Sequence, residues 1–276
     1  MRRPSEDRLT ATRPMQPAMQ PAPAGLGLAW ADVLGQVRAW RGDIVLGLSV
    51  VLGVSIPLVH FFGPAPLFIV TVTLLFLGLV GWVMLAAPPS FQSEGPGMAN
   101  RVTFLRAALV VPVAALAFHP GQQDTATILA LMGVATLALL LDGVDGSVAR
   151  RTGRVTAFGA RFDMETDALL ILVLSILVWQ TGQTGGWVLL IGLMRYAFVA
   201  AGWYWRWLQA ALPPSRRRQA LCVVQSVGLL IALFPAMPAL PAVAAALGAL
   251  ALLIYSFAVD VLWLHRHRHS AATAAG

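Results

Sequence analysis

The chain has 276 residues, of which 58% are hydrophobic and only 11% charged, and its mean hydropathy is +0.75. A soluble domain carries about 25% charged residues, so the composition excludes a soluble globular enzyme and predicts an all-α, polytopic membrane protein. The net charge of +7 comes from arginine alone, with no lysine. In a membrane protein such residues mark cytoplasmic loops, so nucleic acid is not expected as a partner.

Residues 1–28 are rich in Pro, Ala, Met and Gln, lack an apolar period and read as a disordered tail. The first long apolar run starts near Ile44, too far in for a signal peptide, and Arg2-Arg3 is not followed closely by a hydrophobic segment. Over 29–42, Trp30, Val33, Leu34, Val37 and Trp40 share one helical face, with Arg38 and Arg41 at the end. That pattern predicts an amphipathic helix lying at the membrane surface. Eight spans are then expected, near 44–62, 66–87, 102–119, 125–147, 157–180, 186–206, 220–236 and 240–263. Gly- and Pro-rich stretches such as Gly63-Pro64-Ala65-Pro66, His119-Pro120-Gly121 and Pro213-Pro214 separate several of them. Cys222 stands alone in an apolar run, so no internal disulfide forms and it reads as a small buried side chain. The tail from His265 to His269 alternates His with Arg266 and Arg268 and reads as a basic surface anchor.

The arginines test the threading. They precede the first span, then recur at Arg101 after the second, Arg150, Arg151 and Arg154 after the fourth, Arg206 and Arg216 to Arg218 after the sixth, and Arg266 and Arg268 after the eighth. The intervening loops hold none. This alternation predicts both termini in the cytoplasm. Arg-only, Ala-rich usage suggests a GC-rich bacterial genome, hence a bacterial inner membrane.

Acidic residues total 12, yet Asp142, Asp145, Asp163, Glu165 and Asp167 lie in one window between two apolar runs. Carboxylates at a membrane edge need a counter-charge or a metal ion. Asp142 and Asp145 are i, i+3 and Asp163 and Asp167 i, i+4, so each pair occupies one helix face. A short cytoplasmic turn joins the helices, and four carboxylates are expected to converge there. Oxygen donors without Cys or His favour Mg²⁺, Mn²⁺ or Ca²⁺. Two such ions clamp a phosphoryl group. Gly146, Ala149 and Gly159 are small where a nucleotide or pyrophosphate approaches, or where helices pack closely.

The run Asp142-x2-Asp145-Gly146-x2-Ala149-Arg150-x8-Gly159-x3-Asp163-x3-Asp167 resembles the CDP-alcohol phosphotransferase signature at every fixed position. Asn100, Thr103 and Arg106, at the start of the preceding span, resemble a second family pattern. The resemblance covers roughly residues 97–263 and implies a six-helix core, usually homodimeric, with two Mg²⁺ or Mn²⁺ ions held by Asp142, Asp145, Asp163 and Asp167. It makes Asp167 the general base as well. It places Gly146, Ala149, Arg150, Gly159, Asn100 and Thr103 at the nucleotide, and Arg106 at the acceptor. The implied reaction transfers a phosphatidyl group from CDP-diacylglycerol to an alcohol and releases CMP in phospholipid synthesis. The chain then divides into the tail 1–28, the interfacial helix 29–42, a transmembrane hairpin 43–87 outside the six-helix pattern, a catalytic core 88–264 and a basic tail 265–276.

Arg195 lies roughly 16 Å from the cytoplasmic end of its span and Asp142 roughly 12 Å, at 1.5 Å per residue. Arg195 is expected either to bind a phosphate or carboxylate of the acceptor or to pair with Asp163, Glu165 or Asp167. Glu165 is also within one turn of Arg161. The Arg195 reading favours a phosphorylated polyol such as glycerol 3-phosphate. Members using that acceptor often carry Lys after the last aspartate, where this chain has Ala168. Two alternatives share the acidic site: a transferase placing a CDP-linked head group on diacylglycerol, and a divalent-cation transporter.

Overall fold

The structure is a computed structural model that describes residues 30–63, 66–152, 156–210, 212 and 215–273. The expected tail 1–28 lies outside these residues, as do Pro64, Ala65, Arg154, Pro213 and Pro214. Among the described residues the fold is all-helical: α1 Trp30–Phe62, α2 Leu67–Ala86, α3 Phe91–Glu94, α4 Gly97–Ala117, α5 Thr125–Thr152, α6 Ala157–Gln180, α7 Leu189–Tyr204, α8 Arg216–Leu233 and α9 Ala239–Thr273. Short 3₁₀ turns sit at 120–122, 186–188 and 206–209.

Each expected span falls on one long helix. Six of them, α1, α2, α4, α5, α7 and α9, are long and apolar enough to cross a bilayer. The protein is a multi-pass membrane protein. α6 and α8 differ in composition: α6 carries Asp163, Glu165 and Asp167, and α8 opens on Arg216, Arg217 and Arg218.

The expected break between an interfacial helix 29–42 and the first span is absent: α1 is continuous from Trp30 to Phe62. The one helix-weakening residue at that junction is Gly42, and a lone glycine costs about 1 kcal/mol, less than a packed helix recovers. Trp40 is fully buried, so it faces protein rather than lipid headgroups. Two other helices overrun their apolar stretches, α5 to Thr152 and α9 to Thr273.

α4 is the central post. Within its apolar window 78% of residues are buried, against 22–33% in the other candidate spans. α1, α2, α5 and α6 all pack on it. α7 joins through α6, and α8 and α9 pack together against the same group. Lipid provides no hydrophobic drive between helices, so close van der Waals packing at small residues holds them. A Cβ added to Gly47 of α1 would meet the Phe104 ring of α4 at 2.8 Å, and one on Gly228 of α8 would lie 3.2 Å from Ala249 Cβ of α9. At Gly192 of α7 it would strike the α6 backbone at Leu172.

Several caps fix where helices begin. The Asp124 carboxylate accepts from the backbone N–H of Ala126 (2.9 Å) and Thr127 (3.0 Å) and from the Thr127 hydroxyl (2.6 Å), starting α5. These bonds hold its carboxyl below the usual carboxylate range, the Thr127 hydroxyl contributing most. Thr156 caps α6, its hydroxyl accepting from Gly159 N at 3.0 Å.

Candidate active site

The acidic window folds onto α4 at one end of the bundle. Asp142 projects from α5, and Asp163 and Asp167 project from successive turns of one face of α6. One carboxylate oxygen from each lies within 4.8 Å of the other two. Arg106 of α4 stands among them with a side chain only 1% exposed. Its Nη1 donates to Asp163 Oδ1 at 2.5 Å, and its Nη2 lies 2.6 Å from Asp167 Oδ1 and 3.0 Å from Asp142 Oδ1. Its Nε donates to the Ala138 carbonyl of α5 at 3.2 Å. A single guanidinium therefore ties three helices together.

The electrostatics of this group are unbalanced. Among the described side chains three carboxyl groups surround one guanidinium, more acidic oxygens than that single cation can satisfy. All-oxygen donors, with no Cys or His among the clustered ligands, suit a hard divalent cation. Asp142, Asp163 and Asp167 thus have the chemistry of the ligand set expected from sequence. The side chain of Asp145, the fourth expected ligand, lies outside those described, as do those of Ala149 and Arg150 and the surroundings of Gly146; their backbone continues α5.

Cys222 of α8, read from sequence only as a small buried side chain, lies beside the acidic group. Its thiol reaches Asp167, with Sγ 3.7 Å from Oδ2, within range for a weak S–H donor. Asp167 is thus held by Arg106 on one oxygen and approached by Cys222 on the other. No local pattern marks this contact, because it forms between helices far apart in the chain.

Asn100 and Gly159 meet directly. The Asn100 amide donates to the Pro96 carbonyl at 2.6 Å and lies 3.5 Å from the Thr156 hydroxyl. A Cβ on Gly159 would run into Asn100 Oδ1 and come within 3.0 Å of Thr156 Oγ1. The missing side chain at Gly159 lets the start of α6 close onto α4. Thr103 is buried on α4 and back-bonds to the Ala99 carbonyl at 3.1 Å.

Arg195 of α7 pairs with Glu165, Nη2 to Oε1 at 2.6 Å. Of the alternatives open at the sequence level, this is the internal ion pair. Glu165 takes Arg195 as partner rather than Arg161. At 100° per residue, Glu165 points about 200° around α6 from Asp163, so Arg195 is drawn to a different side of that helix from the acidic triad. The Arg195 side chain is 27% exposed, and its Nε has no hydrogen-bond partner among the described residues. Asp260 of α9 is capped by Arg217 and Arg218 of α8.

A family model for CDP-alcohol phosphatidyltransferases matches residues 97–259, from the first turn of α4 to near the middle of α9. The chain belongs to the CDP-alcohol phosphatidyltransferase family. The match includes every residue of the acidic triad together with Arg106, Cys222 and Arg195, and leaves out α1, α2 and α3. The chain is also similar to an archaetidylinositol phosphate synthase of Aeropyrum pernix, with 44% identity over 61 residues, 22% of this chain. The matched segment spans 31% of that protein. No solved structure is significantly similar to the chain.

Proposed function

We propose that the chain is a divalent-metal-dependent phosphatidyltransferase. In this reading it moves the phosphatidyl group of CDP-diacylglycerol to an alcohol in the cytoplasmic leaflet of a bacterial inner membrane. The observation that supports it most is the triad of Asp142, Asp163 and Asp167, brought to one point around Arg106 inside the stretch that matches the family. The arginine pattern supports a cytoplasmic site, since the triad lies at the end of the bundle where Arg101 and Arg217 also stand. The Arg217 and Arg218 contacts to Asp260 weigh against a cation transporter, because they neutralise the acid available to continue a path.

Asp142, Asp163 and Asp167, with Asp145, are the residues that would hold the metal. Bound there, it would supply Lewis-acid polarisation of the phosphoryl oxygens and neutralise developing charge. The chain's own part is positioning and proton transfer. Arg106 holds the triad in register between α4, α5 and α6. Asp167 accepts the proton of the acceptor hydroxyl, the alcohol oxygen bonds to the β-phosphorus, and the bridging P–O bond to CMP breaks. A positioned base of this kind contributes about 10²–10⁴-fold.

For the acceptor we propose a phosphorylated polyol. The Aeropyrum pernix relative, an archaetidylinositol phosphate synthase, supports this class.

The test is purified protein with labelled CDP-diacylglycerol, a panel of alcohols and their phosphates, and Mg²⁺ or Mn²⁺, followed by identification of the lipid product. CMP release is expected only with donor, acceptor and metal together, and Asp167→Asn is expected to abolish it in a monodisperse protein. Turnover with CDP-choline and diacylglycerol in place of CDP-diacylglycerol, or metal flux into vesicles without nucleotide, would replace the proposal with another.

A further inference from the structure

The helices α1 and α2 lie outside the family match, yet their side chains reach the helix that carries Asp163 and Asp167. Trp82, near the end of α2, stacks on Phe158 of α6 (centroids 6.3 Å, planes 29° apart) and lies 5.5 Å from Phe162. Trp40 of α1 meets Phe158 at 6.5 Å, Phe91 of α3 at 6.2 Å and Phe104 of α4 at 5.5 Å. Phe158 and Phe162 contact each other at 5.7 Å, and Phe91 meets Phe158 at 5.6 Å.

The register makes this cluster informative. Phe158 and Phe162 form one i, i+4 stripe on α6, and Asp163 and Asp167 form the neighbouring stripe, one residue and about 100° further round. The first turns of α6 are therefore gripped from two directions. Arg106 holds the carboxylate stripe, and the tryptophans of α1 and α2 hold the aromatic stripe. The N-terminal pair is itself anchored. The Gln36 amide donates to the Pro88 carbonyl at 2.8 Å and to the Ala87 carbonyl at 3.3 Å, closing α1 onto the α2–α3 connection. Asp43 of α1 pairs with Arg101 of α4 at 3.5 Å.

We propose that Trp82 is a positioning residue for the metal-ligand face of α6: the extra N-terminal helices set the rotation and depth of α6, and with it the placement of Asp163 and Asp167. The proposal rests on the reading of those aspartates as metal ligands. Trp82 acts through Phe158 and Phe162, the aromatic stripe beside the carboxylates. Residues that orient ligands without binding the metal typically govern 10–100-fold in metal affinity or activity.

The experiment is direct titration of Mn²⁺ by electron paramagnetic resonance into the purified full-length chain in detergent, with no substrate present. Trp82→Ala is expected to weaken Mn²⁺ binding about tenfold, and Trp82→Phe, which keeps a ring against Phe158, to restore it to within about twofold of wild type. A purely structural role would reduce the yield and thermal midpoint of folded protein without changing the affinity of the folded fraction. If Trp82→Ala does not give a monodisperse protein, Trp82→Leu carries the comparison, with a smaller weakening of about threefold. Unchanged Mn²⁺ affinity in a folded Ala or Leu variant overturns the proposal. Absence of Mn²⁺ binding by the wild type instead overturns the metal-ligand reading itself, and the two failures are thereby separated.

Discussion

Cys222 of α8 and Asp167 of α6 are joined across 3.7 Å, the thiol facing the carboxylate oxygen that Arg106 does not engage most closely. A donor at this position orients the proposed base from a helix outside the signature. A neutral hydrogen bond is worth about 0.5–1.5 kcal/mol, and a thiol sits at the weak end. Cys222→Val is expected to lower CMP release about threefold at equal protein, while Cys222→Ser, which keeps a donor, stays closer to wild type. Equal rates for Val and wild type would show that the contact is packing alone.

Arg106 supplies the counter-charge of the triad. Breaking a buried ion-pair group by removing one partner costs about 3–5 kcal/mol. Arg106→Ala is therefore expected to lower the thermal midpoint strongly. Added Mg²⁺ should recover part of that loss, because the remaining carboxylates then share a larger uncompensated charge. Arg106→Lys keeps the charge but loses the fork that reaches Asp142, Asp163 and Asp167 together, and is expected to fall between. A midpoint unchanged in the Ala variant contradicts the assignment.

The Arg195–Glu165 pair separates a strut from a substrate contact. Both side chains are partly exposed, 27% and 36%, so the pair contributes about 1 kcal/mol or less to stability. If Arg195 also meets the acceptor phosphate, Arg195→Ala raises the KM for a phosphorylated acceptor about tenfold and leaves the KM for CDP-diacylglycerol unmoved, while Glu165→Gln changes neither by more than about twofold. Matching KM values in the two variants would reduce Arg195 to a link between α6 and α7.

Gly159 has no room for a methyl group. Gly159→Ala is expected to destabilise by about 1–3 kcal/mol, the usual cost of overpacking, because Asn100 stands in the way. The double variant Gly159→Ala with Asn100→Ala should recover part of this, giving a non-additive cycle. Simple additivity in thermal midpoints would place the strain elsewhere.

The Asp124 cap sets a pH dependence. Its folded pKa is depressed by the Thr127 hydroxyl and the two backbone N–H groups, so its stabilisation is complete above the unfolded value near 3.9 and is lost as pH falls through the folded value. Asp124→Ala is expected to cost about 1 kcal/mol at neutral pH, as caps do. The gap to wild type should close below about pH 4. A gap that persists at lower pH would show that the carboxylate charge plays no part.

The helices were legible because apolar runs of membrane length are hard to mistake, and the acidic face was legible because Asp163 and Asp167 repeat at one helical turn. Helix ends were less so. The extension of α5 to Thr152 and of α9 to Thr273 is polar and leaves no hydropathy signal, and the junction at Gly42 carried a change of composition without a change of backbone. The Thr156 and Asp124 caps carry a visible cue, a Thr or Asp just before an apolar helix. The partners of the acids had no such cue. Arg106 reaches residues 57 and 61 positions away, and Cys222 reaches back 55. Such contacts exist only once α4, α6 and α8 are packed, and spacing within one helix carries no trace of them.

The placement of α4 has a consequence for biogenesis. Membrane insertion follows chain order, so α4 enters the bilayer carrying the Arg106 cation before α5 and α6 have delivered its anions. An arginine at the centre of a spanning helix costs about 2.5–3.5 kcal/mol on insertion scales, and one nearer an end costs less. During that interval the preceding helices that pack on α4 are α1 and α2, so removing them is expected to lower the amount of protein inserted before it changes any step of catalysis.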